Sequence, residues 1–154
     1  MKTEKFNCIP FIIENTWLMG MDRGWGNGYV AIPENHPLFG KDYNDKIKCD
    51  LSKVKFNGNY VGLFCGSLEK DDKSEMSIDM VIDVHCGITY SDEYDKLRMS
   101  NAEPIEKELP TGKYWVFGFD TAHFEDTSEN WPKEKVIEET MKLKEQLESF
   151  SITV

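Results

Sequence analysis

Basic residues are scarce in this 154-residue chain, which contains 18 Lys and Arg against 28 Asp and Glu and has a formal net charge of −10. Proteins that bind long nucleic acids gain much of their affinity when Lys and Arg displace counterions from the phosphates. The deficit therefore argues against binding along a DNA or RNA backbone. It leaves open a small nucleotide in one local pocket.

The sequence also lacks a long hydrophobic run. The apolar stretch at 8–13 is short, contains Pro10 and is followed by Glu14. A membrane-spanning helix needs about 20 apolar residues, so we expect neither a transmembrane segment nor a signal peptide. A hydrophobic content of 40% with 30% charged residues is typical of a soluble globular protein. We expect a cytoplasmic protein that forms a single domain over residues 1–154.

Cysteine pairs at metal-binding or redox spacing are absent. Cys8, Cys49, Cys65 and Cys86 include no C-x-x-C pair, which disfavours a zinc ribbon or a thioredoxin-type motif. Their irregular spacing and apolar neighbours predict reduced, mostly buried cysteines. The glycine-rich segment 21–28 matches neither a P-loop nor a dinucleotide-binding loop.

The most informative segment that is present runs from Lys113 to Asp126. Its first half, 114–119, is aromatic or β-branched apart from one glycine and predicts a buried strand. Asp120, His123 and Asp126 follow directly. Proteins often build sites where a buried strand ends, so we expect a functional site at this end of the sheet.

Hydrophobic patterning predicts the remaining elements. Strands are expected over 11–19, 29–32, 54–56, 60–65 and 80–84, with extended structure resuming over 88–90. Polar segments up to residue 51, at 69–75 and at 91–110 are expected to be exposed loops. Apolar residues at spacings of three and four predict a C-terminal helix that begins near Trp131-Pro132; they are Val136, Thr140, Leu143, Leu147 and Phe150. The predicted fold is α+β, a mainly antiparallel or mixed sheet with this helix packed on it.

Each of the three histidines, His36, His85 and His123, follows a predicted strand in a turn marked by glycine or proline. If the strand ends converge, the imidazoles could meet near Asp120 and Asp126. Such a group could bind zinc or another divalent metal, but no H-x-H or H-E-x-x-H spacing supports this, and we expect no metal or other cofactor. Alternatively, each histidine donates to a backbone carbonyl and fixes its own loop.

Two further interpretations concern catalysis and binding. His85 or His123 could act as a general base oriented by Asp120, although the H-x-T or H-x-S spacing of two-histidine phosphoesterases is absent. Cys86 as a nucleophile is disfavoured because adjacent strand residues point to opposite faces. Alternatively, aromatic faces stack on bases while polar groups bond to sugar hydroxyls. Trp115 and Trp131 offer further aromatic faces, and Trp115, in mid-strand, fits the core better. The predicted ligand-binding residues are Trp25, Tyr29, His36, His85, Thr89, Tyr90, Ser91, Asp120, His123 and Asp126.

Several blocks together resemble a family of small, uncharacterised bacteriophage and prophage proteins. They are Gly28-Tyr-Val-Ala-Ile-Pro33, His36-Pro37 with Gly40 and Tyr43, His85-Cys-Gly-Ile-Thr-Tyr-Ser91, and Trp115-Val-Phe-Gly-Phe-Asp-Thr-Ala-His123 with Asp126. The family usually reads His-Gly-Gly-(Ile/Leu)-Thr-Tyr-Ser and Gly-Phe-Asp-Cys-Ala-His-x-Gly-Asp. Here Cys86, Thr121 and Glu125 replace Gly, Cys and Gly, so a cysteine nucleophile at 121 is not needed.

The resemblance implies a counter-defence protein of the host cytoplasm. Some families of that kind bind or degrade nucleotide immune signals such as cyclic oligonucleotides or ADP-ribose derivatives. The first expectation is a homo-oligomer that sequesters such a second messenger. One alternative is a hydrolase that degrades it with His85, His123 and Asp120. Another is an inhibitor that binds a host protein through acidic residues at 69–75 or along the helix.

Overall fold

The computed structural model describes residues 6–15, 24–50, 73–106, 108–121 and 126–149. Within these residues the chain forms strands and helices in a mixed order. They are β1 (Ile9–Glu14), β2 (Gly26–Pro33), β3 (Lys46–Asp50), β4 (Lys73–Ser77), α1 (Ile78–Val81), β5 (Tyr90–Glu93), β6 (Glu103–Pro104), β7 (Tyr114–Phe119) and α2 (Lys133–Glu148).

The main sheet contains five antiparallel strands in the order β5-β7-β2-β1-β6, and α2 packs across β2 and β1. Strands β3 and β4 pair with each other in a separate two-stranded sheet. The predicted α+β class is therefore confirmed. Because β2 lies in the middle of the five-stranded sheet, both of its edges are covered by neighbouring strands.

The face of the sheet toward α2 carries the larger part of the core. Val30 and Ile32 alternate along β2, as strand geometry requires, and both are completely buried. A Cβ built on Gly28 would overlap Thr140 Oγ1 and the Phe119 ring, so α2 approaches the sheet closely only because residue 28 is glycine.

The helix α2 forms where the apolar period predicted it. It begins after Pro132, and its buried residues include Val136, Thr140, Leu143 and Leu147; residue 150 lies outside the described part of the chain. The buried Thr140 hydroxyl donates to the Val136 carbonyl at 2.6 Å, which satisfies it inside the helix. In the part of the chain that is described, no helix has the length and apolar character needed to cross a membrane.

The opposite face of the sheet is covered by the segment after β5, which we expected to be an exposed loop. Phe11, Ala31 and Val116 are fully buried on this face, and Met99 from the covering segment is buried against them. The prediction over 91–110 is therefore wrong for this part of the segment. The prediction was wrong because most residues of the segment are polar, and the few apolar residues that anchor it show no regular spacing.

Other boundaries differ from the prediction for reasons of long-range pairing. The predicted strand at 80–84 is wrong: residues Ile78–Val81 form a helical turn in which the Ile82 N–H donates to the Ile78 carbonyl at 3.0 Å. Apolar residues at 78, 81 and 82 fit a helical spacing as well as a strand. The loops expected up to 51 and at 69–75 contain β3 and part of β4, because two polar segments pair with each other. The strands expected at 54–56 and 60–65 lie outside the described residues, as do positions 16–19 of the first strand.

Candidate functional site

His85 and Asp126 form a polar pair with little exposure to solvent. His85 Nε2 lies 3.0 Å from Asp126 Oδ2 and 3.1 Å from Oδ1. The His85 side chain is 19% exposed and that of Asp126 is 6% exposed. With Nε2–H donating to the carboxylate, the neutral imidazole carries its lone pair on Nδ1. The carboxylate thus fixes both the orientation and the tautomer of the ring.

The α2 region holds His85 from two further sides. The Trp131 ring packs on the imidazole with centroids 3.9 Å apart, and the His85 backbone N–H donates to Glu139 Oε1 at 2.9 Å. Trp131 is itself anchored, because its backbone N–H donates to the Thr127 carbonyl at 2.7 Å. Sequence patterning does not single out Glu139, since charged residues recur on every face of the helix other than the buried one.

Cys86 is exposed and has a φ of 56°, in the left-handed region that favours glycine. Its Sγ lies 4.0 Å from Nδ1 and 3.9 Å from Nε2 of His85, at the long limit of a hydrogen bond to sulfur. Partial burial, followed by the carboxylates of Asp126 and Asp120, raises the pKa of the Cys86 thiol. A protonated thiol is a poor nucleophile at neutral pH. The expectation of mostly buried cysteines holds for Cys8 and fails for Cys86.

Asp120 lies at the end of β7, as expected, but the carboxylate on His85 Nε2 is that of Asp126. Asp120 is close enough to two other groups to raise their pKa. It adds to the raised pKa of Cys86, and together with burial and Tyr90 it raises the pKa of Tyr29.

His36 is 3% exposed and braces its own loop. Its Nε2–H donates to the Leu147 carbonyl at 2.7 Å, and its Nδ1 accepts the Leu38 N–H at 3.0 Å. Burial lowers the pKa of His36 to about 4, partly offset by the bond to Leu147. Because Leu147 and Glu139 are separated by roughly 12 Å along α2, the structure does not bring His36 to the His85 cluster. His36 therefore fits the alternative in which a histidine donates to a backbone carbonyl and fixes its own loop.

The other predicted residues have varied positions. Tyr29 and Tyr90 pack edge to face at 5.4 Å on the sheet face away from α2, and Thr89 is exposed. Ser91 Oγ donates to Asp42 Oδ1 at 2.6 Å and accepts the Tyr43 N–H, so it braces a loop. His123 lies outside the described residues.

Two lysines at the start of α2 lie over tryptophan rings beside the His85 pair. Lys135 Nζ is 4.5 Å from the Trp131 ring centroid, and Lys133 Nζ is 5.6 Å from that of Trp25. The Trp25 N–H donates to the Trp131 carbonyl at 2.9 Å, which joins the two tryptophan segments. The rim at the start of α2 thus combines an oriented imidazole with aromatic and cationic side chains. Across the described ranges, no group of three or more His, Cys, Asp or Glu side chains could hold a metal ion.

No protein-family model, curated protein or solved structure matches this chain. The resemblance to phage and prophage proteins therefore stays a prediction.

Proposed function

We propose that the His85–Asp126 pair is the acid–base centre of a cytoplasmic hydrolase that cleaves a small nucleotide-derived signal. The observation that carries the proposal is the short contact of His85 Nε2 with both Asp126 oxygens, at 3.0 and 3.1 Å. A general base must be held in one orientation and one tautomer, and such a base accelerates proton transfer by roughly 10²–10⁴-fold. The ligand class, a cyclic oligonucleotide or an ADP-ribose derivative, comes from the sequence resemblance.

In the proposed reaction, His85 Nδ1 takes a proton from the attacking water as the new P–O bond forms. The imidazolium is stabilised by the Asp126 carboxylate, and its proton passes to the departing oxygen as the old P–O bond breaks. Lys135 lies over the Trp131 ring that packs on His85 and supplies positive charge that suits a phosphate group, whereas the Lys133 ammonium is paired with Glu103 at 2.8 Å. Cys86 takes no covalent part, because its raised pKa keeps it a thiol.

Sequestration without turnover is the second candidate. It is favoured by Lys135 and by the Trp25 and Trp131 rings, since a cation and aromatic rings can bind phosphates and bases with no chemistry. The sequence led us to expect a ligand pocket shared by His36, His85 and His123. His36 does not suit such a pocket, because it is buried and hydrogen-bonded on both nitrogens. Because His36 does not suit a shared ligand pocket, we rank hydrolysis above sequestration. Assembly into a homo-oligomer stays a prediction.

The test is incubation with a panel of cyclic dinucleotides, cyclic trinucleotides and ADP-ribose isomers, followed by chromatography after heat denaturation. A hydrolase converts a panel member into product, whereas a sequestering protein returns it intact. Calorimetry on the same panel detects binding. If no member is cleaved and none binds below about 100 μM, roughly −5.5 kcal/mol, both candidates fail.

Replacing Asp126 separates the two candidates. Asp126→Asn keeps the shape but presents an amide, which no longer selects the tautomer with its lone pair on Nδ1, so turnover should fall by about 10²–10⁴-fold. Glu138→Gln, an exposed change on α2, is the control and should leave turnover unchanged. Turnover that survives Asp126→Asn in a folded protein would remove the pair from the mechanism.

A further inference from the structure

A groove of about 970 Å³ opens between the turn after β5 and the segment that leads into β7. Tyr94, Leu109 and Pro110 contribute its apolar lining, and Tyr94 packs edge-on against Phe11 at 5.9 Å, which fixes this side of the groove to the core. The volume is in the range of ligand-binding clefts. The groove is separate from the His85 pair, and none of its lining residues belongs to that site.

The turn on one side of this groove is rigidly built. Asp95 Oδ1 accepts the backbone N–H of Leu97 at 2.9 Å, and the Asp95 carbonyl accepts that of Met99 at 3.0 Å. Met99 is buried in the core below. Arg98 ties the turn to β5, because its Nη1 donates to Asp92 Oδ2 at 2.8 Å and its Nη2 to the Glu93 carbonyl at 3.2 Å.

Leu97 projects from this turn with 87% of its surface exposed, and among the described residues no other large apolar side chain is exposed. Its neighbours Lys96 and Arg98 both line the groove. A single exposed leucine is common on protein surfaces. Leu97 stands between two residues that line the groove, and its backbone N–H is held by Asp95 Oδ1, so the backbone at this position loses less entropy on binding.

The charge around the groove is negative. Its lining contains three carboxylates, Glu93, Asp95 and Glu108, against the two cations Lys96 and Arg98. The Arg98 guanidinium is already paired with Asp92 and lies 3.4 Å from Asp95. A positively charged partner therefore meets more unpaired negative than positive charge, in agreement with the net charge of −10 for the whole chain.

We propose that Leu97 and this groove form a docking surface for a partner protein that inserts a short segment with alternating basic and aliphatic side chains. Basic side chains pair with Glu93 and Glu108, and an aliphatic side chain packs between Tyr94 and Leu97. A small cation would use the carboxylates but leave Leu97 uncovered, so the exposed leucine favours a protein. This surface differs from the acidic segments at 69–75 and along α2 that the sequence pointed to.

The test uses the full chain and a fluorescent 12-residue peptide of alternating Lys and Leu, with binding measured by anisotropy. The peptide should bind, whereas matched peptides with Glu for Lys or Ser for Leu should not. Leu97→Ser should weaken binding about tenfold, as expected when a leucine contact is lost. Glu108→Gln should weaken it about threefold, and the exposed control Glu138→Gln should leave it unchanged.

Three outcomes would overturn the proposal: the Lys-Leu peptide fails to bind, Glu138→Gln weakens it as much as Glu108→Gln, or Leu97→Ser has no effect while spermidine displaces the peptide completely. The second indicates diffuse charge attraction and the third a small-cation site. Because Leu97 is almost fully exposed, Leu97→Ser should unfold at the wild-type urea midpoint. None of these results depends on cleavage or binding of a nucleotide at His85.

Discussion

Lowering the pH from 7 to 4 should destabilise the protein through His36. In the folded state both ring nitrogens are used in the neutral form: Nε2–H donates to the Leu147 carbonyl, and Nδ1 accepts the Leu38 N–H. A proton on Nδ1 would face that N–H and remove the bond. Burial accordingly lowers the pKa of His36 from 6.5 to about 4.

The sign follows from comparing proton binding in the two states. The unfolded chain binds a proton at His36 as the pH falls through 6.5, whereas the folded protein does so only near pH 4. The contribution to stability is therefore complete above pH 6.5 and is lost progressively as the pH falls toward 4. At about 1.4 kcal/mol for each pH unit, the loss amounts to roughly 3 kcal/mol. That is a large share of a typical stability of about 5–15 kcal/mol.

Urea denaturation at constant ionic strength, repeated between pH 7 and pH 4, measures this loss. His36→Gln removes the titrating group, so its stability should vary much less over the same range. It should also be less stable at pH 7 by about 1–3 kcal/mol, because the Leu38 N–H loses its acceptor. His85→Gln is the matched histidine control and should keep the fall in stability. If wild type and His36→Gln lose the same free energy between pH 6.5 and 4, the assignment to His36 is wrong.

Two further substitutions test the effect of the positive φ at residue 86 and of the close approach of α2 to residue 28. Cys86→Gly should raise the free energy of unfolding by about 1 kcal/mol, since it relieves the positive φ of 56°; a lower urea midpoint would contradict this. Gly28→Ala should lower the free energy of unfolding by about 1–3 kcal/mol, because the new methyl group overlaps Thr140 and Phe119 at the contact of α2 with the sheet. An unchanged thermal midpoint for Gly28→Ala would show that the helix can move away without cost.

The candidate site illustrates what could be predicted about individual residues. The strand exit after 119 was identified because polar residues follow an apolar run, and Asp126 was among the predicted residues. The sequence predicts that the three imidazoles lie near Asp120 and Asp126, but it does not single out this pair, since His85 and Asp126 are 41 positions apart and no local pattern links them. For the same reason the interpretation of the sequence names Asp120, not Asp126, as the orienting carboxylate, and no local pattern marks His36 as a buried residue that fixes its own loop.

The amino-acid sequence was enough to predict β7 and α2, because a continuous apolar run and a period of three to four residues fix which face is buried regardless of the partner. It also determined that the charge is strongly negative. Three features could be read only from the folded chain: the polar segments β3 and β4 form a sheet, 78–81 coils into a helix, and the segment after β5 covers a second core. These features depend on pairing between distant segments, whose free energy exceeds the weak local preferences of the residues involved.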